Sequence, residues 1–211
     1  MLVVLGLGNP GDLYRGTRHN LGKEIASSLA QELGLRARPG KGDYHFARDD
    51  SRDLLLVIPT IYMNVSGRAA AQALDHFGAA PGDLLVVCDD FALPLGALRI
   101  RRQGSDGGHN GLASVIAELG TQDIARLRVG VGPVPAGELW TDFVLSRFDR
   151  SQEARVAEAV SSAREAVLSI GAVGVERAQN LYNARCSPGE PPGSAEKDSG
   201  ENDRGEDDRW K

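Results

Sequence analysis

The chain has 211 residues, 41% of them hydrophobic and 25% charged, with a formal net charge of −5. That length suits one domain with a real core, and the composition excludes a wholly disordered chain. No apolar run approaches the roughly 18 residues of a membrane helix, the start lacks the basic and apolar pattern of a signal peptide, and Cys88 and Cys186 alone make neither a disulfide framework nor a four-ligand zinc site, so a cytoplasmic location is the default expectation.

Val3–Leu7, a short apolar run closed by a glycine-rich turn, reads as a buried strand. Asn20 to Gly34 reads as a helix: Asn20 can cap it, Ile25, Leu29 and Leu33 recur on one face, and Gly34 can end it. Tyr44–Arg48 and Leu54–Ile58 pair as a hairpin across a polar stretch. Asn64 to Phe77 is an Ala-rich helix ahead of Gly78. Leu84–Cys88 is a strand that ends in Asp89-Asp90. Ala97–Arg102 alternates as a strand, Asn110 to Leu119 is a helix closed by Gly120, and Leu127–Val131 is another strand. Ser151 to Ile170 and Val173 to Asn183 are the last helices.

The chain ends differently. Residues 187–211 hold eight acidic and four basic side chains, a net −4, whereas residues 1–186 are nearly neutral. This stretch is rich in Pro, Gly, Ser and acid, with Trp210 as its one large apolar residue. It cannot bury enough surface to offset its ordering entropy. The expected division is a folded body, 1–184, and an acidic, disordered tail, 185–211. Strands separated by helices predict an α/β single domain, with a mixed central β-sheet and helices on both faces. In such sheets ligands gather beyond the carboxyl ends of strands. Asn9, Asn64 and Asp89 are expected at such ends, and Asn110 opens a helix.

Gly6-Leu7-Gly8-Asn9-Pro10-Gly11 matches the dinucleotide-binding G-x-G-x-x-G literally. However, residues 12–17 carry no amphipathic helical pattern, and no acid closes a second strand about 20 residues on. These glycines read as a sharp turn. His19, Asp89, Asp90 and His109 could in principle ligate a divalent cation, but no pair has close ligand spacing, and no metal is expected. On residue type alone, His19 is a capping or surface histidine and His109 part of a turn. His45 and His76 are bland positions on a strand and a helix, and Asp89-Asp90 are loop or capping residues.

The segments G-L-G-N-P-G (6–11), Y-R-G-T-R-H-N (14–20), P-T-I-Y-M-N-V-S-G (59–67) and G-G-H-N-G-L (107–112) together resemble bacterial-type peptidyl-tRNA hydrolases. R-L-R-V-G-V-G (126–132) and the F-V-L-x-x-F run (143–148) are similar to the same family. The matches fall in family order across nearly all of residues 1–184. The resemblance implies hydrolysis of the ester between a peptide and tRNA, on one α/β domain, by a monomer with no metal or organic cofactor and no membrane contact. His19 matches the family's catalytic base and Asp89 the acid that orients it. Asn9 matches a residue beside the scissile bond. Asn64 and Asn110 match substrate-binding asparagines, with the choice of oxyanion donor left open. Tyr14 and Tyr62 match positions that bind the tRNA end, and Met63 belongs to the same wall.

Arg99 and Arg101 share one face of their strand, as do Arg126 and Arg128 of theirs. The resemblance implies that Arg99, Arg101 and Arg128 contact the terminal phosphate of the acceptor stem. The sequence departs from the family at Ala92, where a second acid is frequent, at Ala113, where a base is frequent, and at Asp106, which puts a negative charge in the Gly104–Gly108 loop. The acidic tail lies outside the family's core and could compete with tRNA for the arginines. A non-catalytic RNA-binding relative on the same scaffold, of the kind that acts in organelle splicing, is the competing expectation. Retention of His19, Asp89 and the three asparagines favours the enzyme.

Overall fold

The computed structural model describes residues 1–184, and the tail expectation lies outside them. Apolar runs build the centre of the sheet. β1 (Leu2–Gly6), β4 (Leu54–Pro59), β5 (Leu84–Pro94) and β7 (Ala125–Gly132) are almost wholly buried. The shorter β2 (Arg38–Pro39), β3 (Tyr44–Asp49) and β6 (Leu98–Arg101) complete a seven-stranded sheet in the order β2-β3-β4-β1-β5-β7-β6. β1 runs parallel to β4 and β5, and β5 parallel to β7. The pairs β2–β3, β3–β4 and β6–β7 are antiparallel. The sheet is therefore mixed, parallel at its middle and antiparallel toward both edges.

Alternation along the strands divides the core into two layers. Val4 of β1 faces α1 (Leu21–Glu32), α5 (Glu153–Val173) and α6 (Val175–Asn183). Val3 and Leu5 face α2 (Ser66–Phe77) and α3 (Asn110–Leu119). Helices cover both faces, as the element order predicts. No helix among the described residues is long and apolar enough to cross a membrane.

Glycine sets the closest approach in the first layer. A Cβ on Gly22 would sit 2.1 Å from the Val87 carbonyl oxygen, and one on Gly6 would sit 2.5 Å from the Gly22 oxygen. The first turn of α1 thus lies backbone to backbone on β1 and β5. The glycine run does not lead into a helix N-terminus. A 3-10 turn, Asp12–Tyr14, follows it, and a second, Arg18–Asn20, precedes α1. This geometry removes the dinucleotide reading, because no helix opens where a pyrophosphate would lie.

Several boundaries differ from expectation. β5 continues to Pro94, so Asp89 and Asp90 lie inside the strand, opposite Val129 and Gly130 of β7. They tolerate that place because each has a buried partner, described below. Asn20 does not cap α1. Its side chain bonds Asn9 instead. A short helix α4 (Trp140–Leu145) was not anticipated, and α5 breaks from α6 at Gly174, where φ is 82°. α4 has too few turns to show a helical period, and it follows a Pro/Gly-rich stretch.

Candidate active site

The ends of β1, β4 and β5 and the starts of α1 and α3 converge on one side of the molecule. Asp89 lies 3% exposed in β5. Its Oδ1 accepts from His19 Nδ1 at 3.0 Å, with Oδ2 at 3.2 Å. The same Oδ1 lies 3.0 Å from His109 Nε2. The His109 tautomer is fixed from its other side. As the N-cap of α3, its Nδ1 accepts the backbone N–H groups of Gly111 and Leu112 at 3.1 and 3.2 Å. A nitrogen that accepts carries no proton, so Nε2 carries it and donates to Asp89. One carboxylate therefore receives a hydrogen bond from each imidazole. Burial works against charge on Asp89, yet the hydrogen bonds from His109 and His19 hold its carboxyl below the ordinary carboxylate range.

His19 is held at Nδ1 only. Among the described residues no protein group bonds its Nε2, and its ring lines an open cleft of about 320 Å³. The other walls include Asn9, Tyr14, Tyr62, Met63, Asn64 and Asn110. Asn9 is buried and held in one orientation. Its Oδ1 accepts from the Met63 N–H at 2.8 Å, and its own backbone is clamped by Asn20. The carboxamide oxygen is thus engaged, and Nδ2 is left as a donor with no protein partner among the described residues. Asn64 and Asn110 are exposed. Tyr14 and Tyr62 meet edge to face, with ring centroids 6.4 Å apart, and Tyr62 is 58% exposed.

A second, narrower recess opens beside the first. Asp89, Asp90, the Gly107-Gly108 backbone, His109 and Arg128 line it. His19, Trp140 and Val144 border both spaces. Arg128 is held by Asp90, with Nε 3.0 Å from Oδ2. Arg126, expected on the same strand face as Arg128, is buried and turned to structure. It donates to the carbonyls of Gly104, Ser105 and Ile124 and so fixes the glycine-rich loop. Arg99 and Arg101 stand opposite Arg128 and Arg126 on the edge strand, line neither recess, and pair with no carboxylate among the described residues. Asp106 accepts the Gly108 N–H at 2.7 Å, so its charge is turned onto its own loop.

The metal question turns on the donors. Ligand atoms of His19, Asp89 and His109 all lie within 4.8 Å of one another. A cation there would have to take the Nε2 proton of His109, whose Nδ1 is already an acceptor, and would leave that ring doubly deprotonated or strip the α3 cap. The trio suits a hydrogen-bond relay and does not fit a metal, and Asp90 is occupied by Arg128. No thiol competes as a nucleophile among the described residues, because burial pushes the Cys88 thiol up to about 12.

Of the residues the sequence places together, His19, Asn9, Asn64, Asn110, Tyr14 and Tyr62 line one cleft, and Asp89 lies behind His19, in the narrower recess. Sequence alone gives no sign that His109 partners Asp89, and it assigns no site role to Trp140 or to Val144 of the 143–148 run. The glycines on either side of His109-Asn110 were the one available signal.

The family model described as peptidyl-tRNA hydrolase matches residues 3–189. A peptidyl-tRNA hydrolase of Chlorobaculum parvum is 42% identical over 187 residues, covering 87% of this chain and 98% of the relative. That of Thermotoga petrophila is also 42% identical over 187 residues, covering 87% and 97%. The crystal structure of the peptidyl-tRNA hydrolase of Acinetobacter baumannii superposes with a TM-score of 0.80 at 28% identity, over 87% of this chain and 95% of that one. A match of this extent, over a fold and cleft of this kind, has one reading: the chain belongs to the peptidyl-tRNA hydrolase family.

Proposed function

We propose that this protein is an enzyme that hydrolyses the ester bond between a peptide, or any N-blocked aminoacyl group, and tRNA. It returns free tRNA to translation after peptidyl-tRNA has left the ribosome prematurely. One observation carries the reading: a buried carboxylate holds Nδ1 of His19, while the same ring lines a cleft that also holds three carboxamides.

His19 Nε2 takes a proton from water as the water oxygen attacks the ester carbonyl carbon. Asp89 accepts from Nδ1–H, fixes the tautomer and stabilises the imidazolium that forms, in the manner of the serine-protease triad but without a serine. Negative charge that builds on the carbonyl oxygen meets a carboxamide donor, with Asn9 Nδ2 the best oriented of the three asparagines. The intermediate collapses by breaking the bond between the acyl carbon and the ribose oxygen. His19 returns the proton to that oxygen, giving a tRNA hydroxyl and a peptide carboxylic acid, which loses the second proton of the water to solvent and leaves as the carboxylate. Asn64 and Asn110 bind substrate at the cleft mouth. Tyr14 and Tyr62 offer ring faces to the 3′ end. Arg128 beside the glycine-rich loop, with Arg99 and Arg101 on the edge strand, contacts acceptor-stem phosphates, which confers grip without sequence choice. The reaction needs no metal or organic cofactor. The enzyme acts in the cytoplasm as a monomer, with residues 1–184 as its catalytic domain.

The test is release of N-acetyl-amino acid from N-acetyl-aminoacyl-tRNA, with EDTA present. Turnover is expected for the parent. Asp89→Asn is expected to slow it by about 10³–10⁴-fold, the scale of losing the orienting carboxylate of a triad, with little change in tRNA affinity. Inhibition by EDTA, or an unchanged rate in Asp89→Asn, contradicts the reading.

A further inference from the structure

We propose that Arg18 is a positioning residue for this site: its buried guanidinium fastens α4, the wall shared by the two recesses, to the 3-10 turn that carries His19. The catalytic consequence rests on the hydrolase reading; the fastening itself does not.

Arg18 is 4% exposed. A buried cation is costly unless it is paired, yet no carboxylate among the described residues lies within ion-pair distance of it. Burial accordingly lowers its pKa, against weaker support from Asp149 and Glu138. Its partners are neutral and come from one distant segment. Nη1 donates to Ser146 Oγ at 2.5 Å and to the Arg147 carbonyl at 2.7 Å. Nη2 donates to Gln152 Oε1 at 3.1 Å. The guanidinium also lies over the Phe143 and Phe148 rings, 4.3 and 4.9 Å from their centroids. The backbone is tied to the same place, because the Arg18 N–H donates to the Ser146 carbonyl at 3.0 Å and Thr17 forms a β-bridge with Arg147.

All of these partners fall between residues 143 and 152, at the C-terminal end of α4 and just beyond it. α4 has only six residues. A helix that short does not hold itself in water, so its place is set by its anchors. It presents Trp140, Thr141, Val144 and Leu145 to the cleft, with Trp140 and Val144 shared by the second recess and Trp140 stacked on Phe91, centroids 5.8 Å apart and planes at 24°. Arg18 lines neither recess, but His19, the next residue, borders both. One dipeptide therefore supplies the base and the bolt that holds the facing wall. A planar fork between two rings is a task for arginine that lysine cannot reproduce.

The experiment reads the wall directly. In a Trp210→Phe background Trp140 is the one tryptophan. Arg18→Lys, and separately the double variant Ser146→Ala/Gln152→Ala, are compared with that parent by acrylamide quenching of Trp140 without substrate. Single-turnover cleavage of N-acetyl-aminoacyl-tRNA is followed from pH 5 to 9. Trp140 is 42% exposed in the parent, and both variants are expected to raise its quenching constant further. Arg18→Lys is expected to lose about tenfold or more in kcat/KM, the scale of a small misplacement near the reacting groups. The double variant should lose less. The midpoint of the pH profile should not move, because His19 and Asp89 are untouched. If Arg18→Lys does not fold, the double variant decides. Unchanged quenching in the variants that fold overturns the proposal, whatever the activity. A parent that binds but never cleaves the substrate overturns the hydrolase reading and leaves the quenching result standing on its own.

Discussion

Asp89 serves two histidines with one oxygen, and the consequences are unequal. In the proposed mechanism His19 needs the carboxylate when it becomes an imidazolium, whereas His109 would hold the carboxylate still. His109→Asn keeps a capping acceptor at the start of α3, so thermal stability should change by no more than about 1 kcal/mol. The hydrogen bond to Asp89 is lost, and kcat should fall while KM holds. Equal losses in stability and rate would make His109 only a cap. The acid limb of stability follows from Asp89 as well. Its carboxyl is held below the ordinary range in the folded chain. It therefore contributes stability that is complete above the unfolded carboxyl value of about 4 and is lost as pH falls below that. Asp89→Asn should flatten the fall in urea midpoint between pH 5 and pH 3 relative to the parent. None of this pairing is local in sequence. His19 and Asp89 are 70 positions apart, and His109 and Asp89 are 20 apart. Residue type alone reads each as bland, and only the family motifs singled out the first pair.

At the scale of elements, close packing accounts for the glycines that periodicity could not. Gly22 lies in the first turn of α1, where any side chain meets the Val87 carbonyl. Gly22→Ala should destabilise by about 1–3 kcal/mol, the range for overpacking a filled core, seen as a lower denaturant midpoint with an unchanged slope. A neutral substitution would contradict the backbone-to-backbone contact. The long elements were legible because their apolar spacing repeats. The short ones were not. β2 has two residues and α4 six, too few to show a period. The sequence pattern ends β5 at Cys88, because charged residues ordinarily close a buried strand; here Arg128 pairs with Asp90, and the two histidines donate hydrogen bonds to Asp89.

Across the whole molecule, the sheet sorts its jobs by strand. The buried parallel strands end at the cleft, and the antiparallel edge strand β6 carries Arg99 and Arg101. The net charge of −5 hides this arrangement, because −4 of it belongs to residues 187–211, while the edge arginines pair with no carboxylate among the described residues. Two arginines separate the roles. Arg101→Gln should weaken tRNA binding and lower the slope of log affinity against log salt by about 1, as loss of one phosphate contact does. Arg126→Gln should loosen the glycine-rich loop and raise KM without changing that slope, because its donors are held by carbonyls. The alternation of β6 and β7 made all four arginines look equivalent in the sequence. Burial distinguishes Arg126 from the rest, and burial is a property of the assembled sheet.

The most direct measurement is the rate at which enzyme-bound N-acetyl-aminoacyl-tRNA is cleaved in a single turnover by His19→Asn, with tRNA affinity measured alongside. Asparagine keeps a donor for Asp89 but offers no base toward the cleft. The account predicts a rate lower by at least about 10³-fold, within the range that a positioned base contributes, on a protein that binds tRNA as tightly as the parent. Cleavage at the parental rate would contradict it.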